Sequence, residues 1–336
     1  MKYSKRQVAN RIVLIALLTG FLILGWIVLD GLKEDRQIKM VLIPKIIDNN
    51  NEFWTALIAG AKMAAQENGI ELTVVAPDRE EDYERQNELI LQAVSQKPDV
   101  ILVSPSHYTK TLEAVREAKK NDIKIVFIDS EVEEPVWDSI VATDNFIAGT
   151  KMGNLAKQYI NDDTQIAVVG HVKTSSTAIE RIRGLEYILG SRKSQIVDMV
   201  FCDSSFDKAY DLTVELIHKY PDLDLIVGTN EYSAVGVANA IKDMRLTGKI
   251  KMVGFDNSIE EVQLLEEGVF VGIVIQKPFN MGYLGVEQAY KIISGEEFKV
   301  QLDSGSELIT RDNMYTEENQ KLLFPFVGRQ FRETTD

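Results

Sequence analysis

The chain of 336 residues holds a single cysteine, Cys202, and only three scattered histidines, His107, His171 and His218. One thiol cannot close an internal disulfide, and this inventory is too thin for a Cys/His zinc centre. Positive charge is also short, with 37 Lys and Arg against 51 Asp and Glu for a formal charge of -14. Such a balance argues against a surface built for nucleic acid phosphates or anionic headgroups. No low-complexity segment, internal repeat or Pro/Gly/Ser-rich linker divides the sequence. No HExxH, GxSxG or Cys-His arrangement offers an activated nucleophile, so the expectation is a chain with no catalytic residue, no metal and no cofactor. Otherwise the composition, 45% apolar and 26% charged, is ordinary for globular proteins, and the length suits two domains.

Charge is unevenly spread. Residues 1–37 carry six basic and three acidic residues, a balance of +3, which leaves 31 basic against 48 acidic, or -17, in the remainder. The basic start runs into residues 12–29, IVLIALLTGFLILGWIVL, an uncharged stretch of 18 residues. As a helix it would rise about 27 Å, enough to span a hydrocarbon core. Four positive charges precede it, which puts residues 1–11 in the cytoplasm by the positive-inside rule and everything after a linker at 30–37 outside. A cleavable signal peptide is the rival, but its apolar region is shorter and ends in a small-x-small site. A lipoprotein anchor needs a cysteine just after the run, and Cys202 is far away.

From Gln37 onward, short β-branched runs alternate with amphipathic segments of helical spacing, which predicts parallel sheets covered by helices. The predicted strands are 38–44, 71–77, 99–105, 123–130, 165–170, 196–203, 223–230, 250–256 and 271–278, with helices such as Phe53–Glu67 and Asp82–Ser95 between them. Nine βα units exceed what one doubly wound sheet usually holds, so two α/β domains are expected. An exchange of strands between them would explain the missing linker. A tail at 317–336 is expected to pack the cluster from Leu322 to Phe326 on the body.

In parallel α/β sheets, ligands bind outside the carboxyl ends of the strands. Those ends are polar here: Asp48, Asn49, Asn50 and Asn51 with Phe53 and Trp54, then Asp129 and Ser130, Asn230, Asp256 and Asn257, and Gln276. Acids and amides beside aromatics suit a sugar, whose hydroxyls donate to carboxylates and accept from amides while its C–H faces stack on rings. Any one of these residues taken alone serves equally as a helix N-cap, a turn residue or core. Elsewhere, VVGHVKTSST at 168–177 lacks the glycine before lysine that a phosphate-binding loop needs, and the acids of REEDYER at 79–85 read as a solvated face.

The segments DNNNEFW (48–54), FIDS (127–130), VATDN (141–145), AIERIRG (178–184), Phe206–Asp207, GTNEYSAVG (228–236), VGFDNS (253–258) and IQKP (275–278) together resemble the ribose/galactose branch of the periplasmic sugar-binding proteins. The resemblance covers nearly all of residues 38–316. It implies the periplasmic binding protein-like I fold, two doubly wound parallel-sheet domains joined by a three-strand hinge, here preceded by one transmembrane helix. The implied lobes are 38–143 with 277–305 and 144–276 with 306–316. It also implies that Asn51 and Asp129 hold sugar hydroxyls from one lobe and that Arg181, Asn230, Asp256 and Gln276 hold them from the other side and the hinge. Phe53 or Trp54 and Phe206 would sandwich the ring. Ribose binders carry arginine where this chain has Ser130, which points to a different or larger ligand. The implied function is an extracytoplasmic sugar-binding protein, anchored in the cell membrane by one helix, that closes on a monosaccharide. It would then deliver to an ABC permease or signal to a sensor histidine kinase. A sugar-responsive repressor shares the core, but it would place a basic DNA-binding segment where residues 12–29 stand. A sugar-modifying enzyme would need Asp129 and Asp256 to face one ligand with a nucleophile that is not evident.

Overall fold

The computed structural model describes residues 17–21 and 37–324, and the chain divides into two units, Met1–Ile38 and Lys39–Asp336. In the first unit residues 17–21 are helical; the rest of the expected membrane segment 12–29 lies outside the described residues. Among the described residues, no helix is long and apolar enough to cross a membrane.

The second unit contains two six-stranded sheets. The first runs in the order β11-β5-β4-β3-β1-β2, from β1 (Lys39–Ile43), β2 (Glu71–Val74), β3 (Val100–Val103), β4 (Lys124–Ile128), β5 (Ser139–Ala142) and β11 (Gln301–Asp303). The second runs β12-β10-β9-β8-β6-β7, from β6 (Gln165–Gly170), β7 (Ile196–Phe201), β8 (Leu223–Gly228), β9 (Lys251–Phe255), β10 (Phe270–Ile275) and β12 (Glu307–Ile309). All pairs are parallel except β10 with β12. Each sheet repeats the 2-1-3-4-5 order, whose switch point lies between the first and third strands and opens the crevice that ligands use. The β-branched runs become strands because both faces of a parallel sheet are buried, so alternation disappears. Val100 to Val103 and Ile125 to Ile128, for example, are all fully enclosed.

Three short strands were not expected from the sequence: β5, β11 and β12. Each has only three or four residues and is held by pairing with a longer neighbour rather than by an apolar run of its own. The chain passes between the sheets three times. After β5 it enters α4 (Asn145–Ala156), which packs on α5 (Ser176–Leu189) in the C-terminal lobe. After β10 it returns through α9 (Pro278–Ser294), which packs on α1 (Glu52–Glu67) and β4. Finally β11 joins the first sheet and β12 the second.

The two helix pairs use the same device. A Cβ on Gly149 of α4 would stand 2.1 Å from the Arg181 carbonyl of α5, and one on Gly282 of α9 would stand 1.9 Å from the Leu57 carbonyl of α1. Only glycine permits that approach, and in the C-terminal lobe it fixes the helix that carries Arg181. The remaining helices are α2 (Tyr83–Gln96), α3 (Leu112–Lys120), α6 (Phe206–Lys219), α7 (Glu231–Asp243), α8 (Ile259–Glu266) and α10 (Glu317–Leu323). Of the expected tail cluster, Leu323 is buried and Leu322 and Phe324 pack against the C-terminal core, while Phe326 lies outside the described residues.

Candidate ligand-binding site

The carboxyl ends of both sheets face one another across a polar cavity with about 290 Å³ of atom-free space. Lys45, Asn51, Phe53, Trp54, Glu80 and Asp129 line it from the N-terminal lobe. His171, Thr177, Arg181, Asn230, Tyr232 and Asp256 line it from the C-terminal lobe, and Gln276 does so from the crossing into α9.

The two aspartates occupy equivalent places. Asp129 follows β4 with φ 71° and Asp256 follows β9 with φ 85°, a left-handed conformation that costs a side-chain-bearing residue energy. Each donates its backbone N–H to the neighbouring strand, Asp129 to Val141 O at 3.0 Å and Asp256 to Val274 O at 2.9 Å. The strained turn lifts each carboxylate off its sheet edge and into the cleft. Asp256 accepts from Gln276 Nε2 at 2.7 Å and from the Glu231 N–H at 2.9 Å. Burial raises its pKa, against the pull of Arg181.

Arg181 is enclosed. Its Nε donates to Asn145 Oδ1 at 2.8 Å and its Nη1 to Thr229 O at 2.7 Å, while the guanidinium lies 3.6 Å from the centre of the Phe255 ring. Burial lowers its pKa from the ordinary value, and Asp256, Asp129 and Glu80 oppose that shift. Asn51 and Asn230 are both N-caps and cavity residues. Asn51 Oδ1 accepts from Trp54 N and Asn230 Oδ1 from Ser233 N, each at 3.0 Å, so the cap consumes the oxygen and leaves the amide donors for the cavity. Phe53 and Trp54 meet edge to face with centroids 4.9 Å apart.

Two expected residues are not at the cavity. Ser130 is buried, but its hydroxyl donates to Pro105 O at 3.0 Å. Phe206, the first residue of α6, packs 4.6 Å from Tyr232, and it is the Tyr232 ring that lines the cavity opposite Phe53 and Trp54.

The cation absent at position 130 comes from elsewhere. Lys45, two residues past β1, is 2% exposed and donates to Asp129 Oδ2 at 2.8 Å and across the cleft to Ser175 Oγ at 3.2 Å. Glu80, expected on a solvated face, is also buried. It accepts from Trp54 Nε1 and, from the other lobe, Ser204 Oγ at 2.6 Å. Burial raises its pKa, with Lys45 opposing. His171 bridges Thr229 Oγ1 at 2.9 Å and Thr177 Oγ1 at 2.8 Å, and burial lowers its pKa well below the ordinary value.

The lobes also exchange helix caps. The Glu231 carboxylate accepts from the backbone N–H groups of Glu52 and Phe53 at 3.0 and 3.1 Å, which open α1. Glu52 Oε1 in turn accepts from the N–H of Ile259, the first residue of α8, at 3.1 Å. Tyr232 adds a hydrogen bond from its hydroxyl to Asp48 at 2.8 Å. Each carboxylate meets the positive end of a helix in the opposite lobe.

Burial, with Asp256 and Glu52 close by, pushes the Glu231 pKa up to about 8, and Glu261 behind it is raised as well. Opening the cleft would return Glu231 to water and to its ordinary value of 4.5. The closed form therefore binds a proton that the open form does not, and closure loses stability as pH rises from 4.5 through about 8. Ligand affinity is expected to fall about tenfold between about pH 7 and about pH 9, a window in which His171 is neutral in both forms. Titration calorimetry on Glu231→Gln should show a shallower slope; an unchanged slope would assign the effect to Glu80, Asp256 or Glu261.

The profile of the periplasmic binding protein domain matches residues 41–297. The chain belongs to the periplasmic binding protein family. It is 26% identical over 265 residues to the ribose import binding protein of Bacillus subtilis, covering 78% of this chain and 84% of that one. A crystal structure described as a sugar transporter from Clostridium phytofermentans is 48% identical, with a TM-score of 0.78, and covers 82% of this chain and 100% of its own. A solute-binding protein of Agrobacterium vitis with bound D-fucose is 27% identical at a TM-score of 0.78, covering 84% and 98%. These relatives are binding proteins of transport systems, and this member of the family is a binding protein rather than an enzyme.

Proposed function

We propose that this protein closes on a monosaccharide and hands it to an ABC permease in the same membrane. The observation that carries the reading is the polar cavity lined together by Asp129 and Asp256, held at positive φ, by Arg181, by two asparagines and by aromatic rings. Carboxylates, amide donors and a guanidinium match a ring of hydroxyls, while Phe53, Trp54 and Tyr232 supply faces for its C–H surfaces. The names of the relatives agree with a monosaccharide. Asn51, Asp129, Lys45 and Glu80 would hold the sugar from the N-terminal lobe. Arg181, Asn230, Asp256 and Gln276 would hold it from the other side. The lobes are assigned as 38–143 with 277–305 and 144–276 with 306–316, and they close by a hinge at the three crossings.

Residues 12–29 would anchor the protein, with residues 1–11 cytoplasmic and the binding lobes outside. An anchor retained at residues 12–29 would also favour a second role, in which closure is reported to a sensor histidine kinase held beside it.

A thermal-shift screen of the full chain against D-ribose, D-allose, D-arabinose, D-fucose and D-galactose tests the reading. A ligand at about 100 times its Kd adds about 2.7 kcal/mol to apparent stability, a shift of several degrees. If no pentose or hexose moves the transition, the monosaccharide reading is lost.

A further inference from the structure

Beside the polar cavity lies a larger hollow with about 1040 Å³ of atom-free space. Most of its exposed lining surface is apolar, from Ala56, Ile259, Pro278, Phe279, Leu322 and Phe324, although Lys277 and Lys321 also line it. Phe53, Asp256 and Gln276 line both spaces, so one wall separates or joins them. The carboxylates at that wall already have partners. Glu231 holds the start of α1, Glu52 the start of α8, and Asp256 the Gln276 amide. Gln276 itself is incomplete, because its Nε2 donates to Asp256 while its buried Oε1 accepts from no described residue. A buried acceptor without a donor is costly, and here it stands on the wall common to a hydroxyl-binding cavity and an apolar one.

We propose that the hollow is a subsite for an apolar substituent on the anomeric carbon, and that the protein takes neutral glycosides with a small apolar aglycone in preference to the free monosaccharide. The inference rests on the monosaccharide reading of the polar cavity. The sugar ring sits among the polar groups with one hydroxyl donating to Gln276 Oε1, and the substituent passes Phe53 into the hollow. Apolar burial of a phenyl group, less the cost of ordering it, is expected to tighten binding about tenfold.

Calorimetry on the full chain decides it. The probes are the tightest free sugar from D-ribose, D-allose, D-arabinose, D-fucose and D-galactose, and both anomers of its phenyl glycoside. One phenyl anomer is expected to bind about tenfold tighter than the free sugar. Ala56→Trp, which fills the hollow, and Leu322→Ala, which removes part of its wall, should each erase most of the gain. Both should leave free-sugar affinity within about twofold, which also reports that they fold. If neither anomer exceeds the free sugar, or if the gain survives both substitutions, the subsite is overturned while the monosaccharide reading stands. If no free sugar binds at all, both readings fall together.

Discussion

Arg181→Ala is expected to weaken ligand binding by about a hundredfold or more, equivalent to about 2.7 kcal/mol. The reason lies in what the guanidinium holds together. It is 2% exposed, its Nε and Nη1 are committed to Asn145 and the Thr229 carbonyl, and its plane rests 3.6 Å from the Phe255 ring centre. Those contacts fix it near Asp256 and Asp129, whose charges it offsets at the cavity. Removing one member of such a buried set leaves the others uncompensated, which costs about 3–5 kcal/mol in comparable cases. Part of that loss would fall on the C-terminal lobe itself, because the Thr229 carbonyl and Asn145 lose their donor, and the melting temperature should drop as well. Arg181→Lys restores charge without the planar fork or the ring contact and is expected to recover about a tenth of the affinity at most. The effect is read by calorimetry with the sugar that the thermal screen selects. Affinity within about threefold of the parent would remove Arg181 from the site.

The sequence made the layered fold legible because each long strand of a doubly covered parallel sheet must be a continuous apolar run, and nine such runs stand between amphipathic segments. It concealed β5, β11 and β12 because strands of three or four residues at or next to a sheet edge owe their existence to a partner, not to a pattern. At the site, Asn51, Asp129, Asn230, Asp256 and Gln276 were visible by position, since the carboxyl end of a strand faces the cleft whichever residue stands there. That N-caps and cavity residues coincide at Asn51 and Asn230 explains why the cap alternative could not be dismissed from sequence. Arg181 lies a turn and a half into a helix and was reached only through the family resemblance. Lys45 and Glu80 were missed for a physical reason: a charged side chain is solvated by default, and nothing local says that the opposite lobe will close over it. Lys45 did carry a signal, standing just beyond β1 at the binding end of the sheet. Phe206 was placed against the sugar, but its ring meets Tyr232, which does line the cavity. His171 and Thr177 sit in the loop that failed as a phosphate site, and the His171 bond to Thr229 exists only because the fold brings β8 beside that loop.

Lys45 offers the second large effect and a cleaner separation of binding from folding. Lys45→Met keeps the length of the side chain and removes the ammonium, leaving the Asp129 carboxylate enclosed without its 2.8 Å partner and breaking the 3.2 Å bond to Ser175 across the cleft. In the closed form that charge has no water to fall back on. An opened cleft would hydrate it at once, so the loss should fall on closure and not on the lobes. Affinity is expected to drop about fiftyfold or more, while the melting temperature without ligand moves by only a few degrees. This contrasts with Arg181→Ala, whose contacts lie inside one lobe. Asp129→Asn keeps a residue that tolerates φ 71° and removes the opposite charge. If the pair acts as a unit, Lys45→Met with Asp129→Asn binds no worse than the weaker single variant, and the cycle yields a coupling of about 1.5 kcal/mol or more. Simple addition of the two losses would mean that Lys45 and Asp129 read the ligand independently. A Lys45→Met affinity within about threefold of the parent would mean that the ion pair is dispensable for closure, and the cation at this site would then be Arg181 alone.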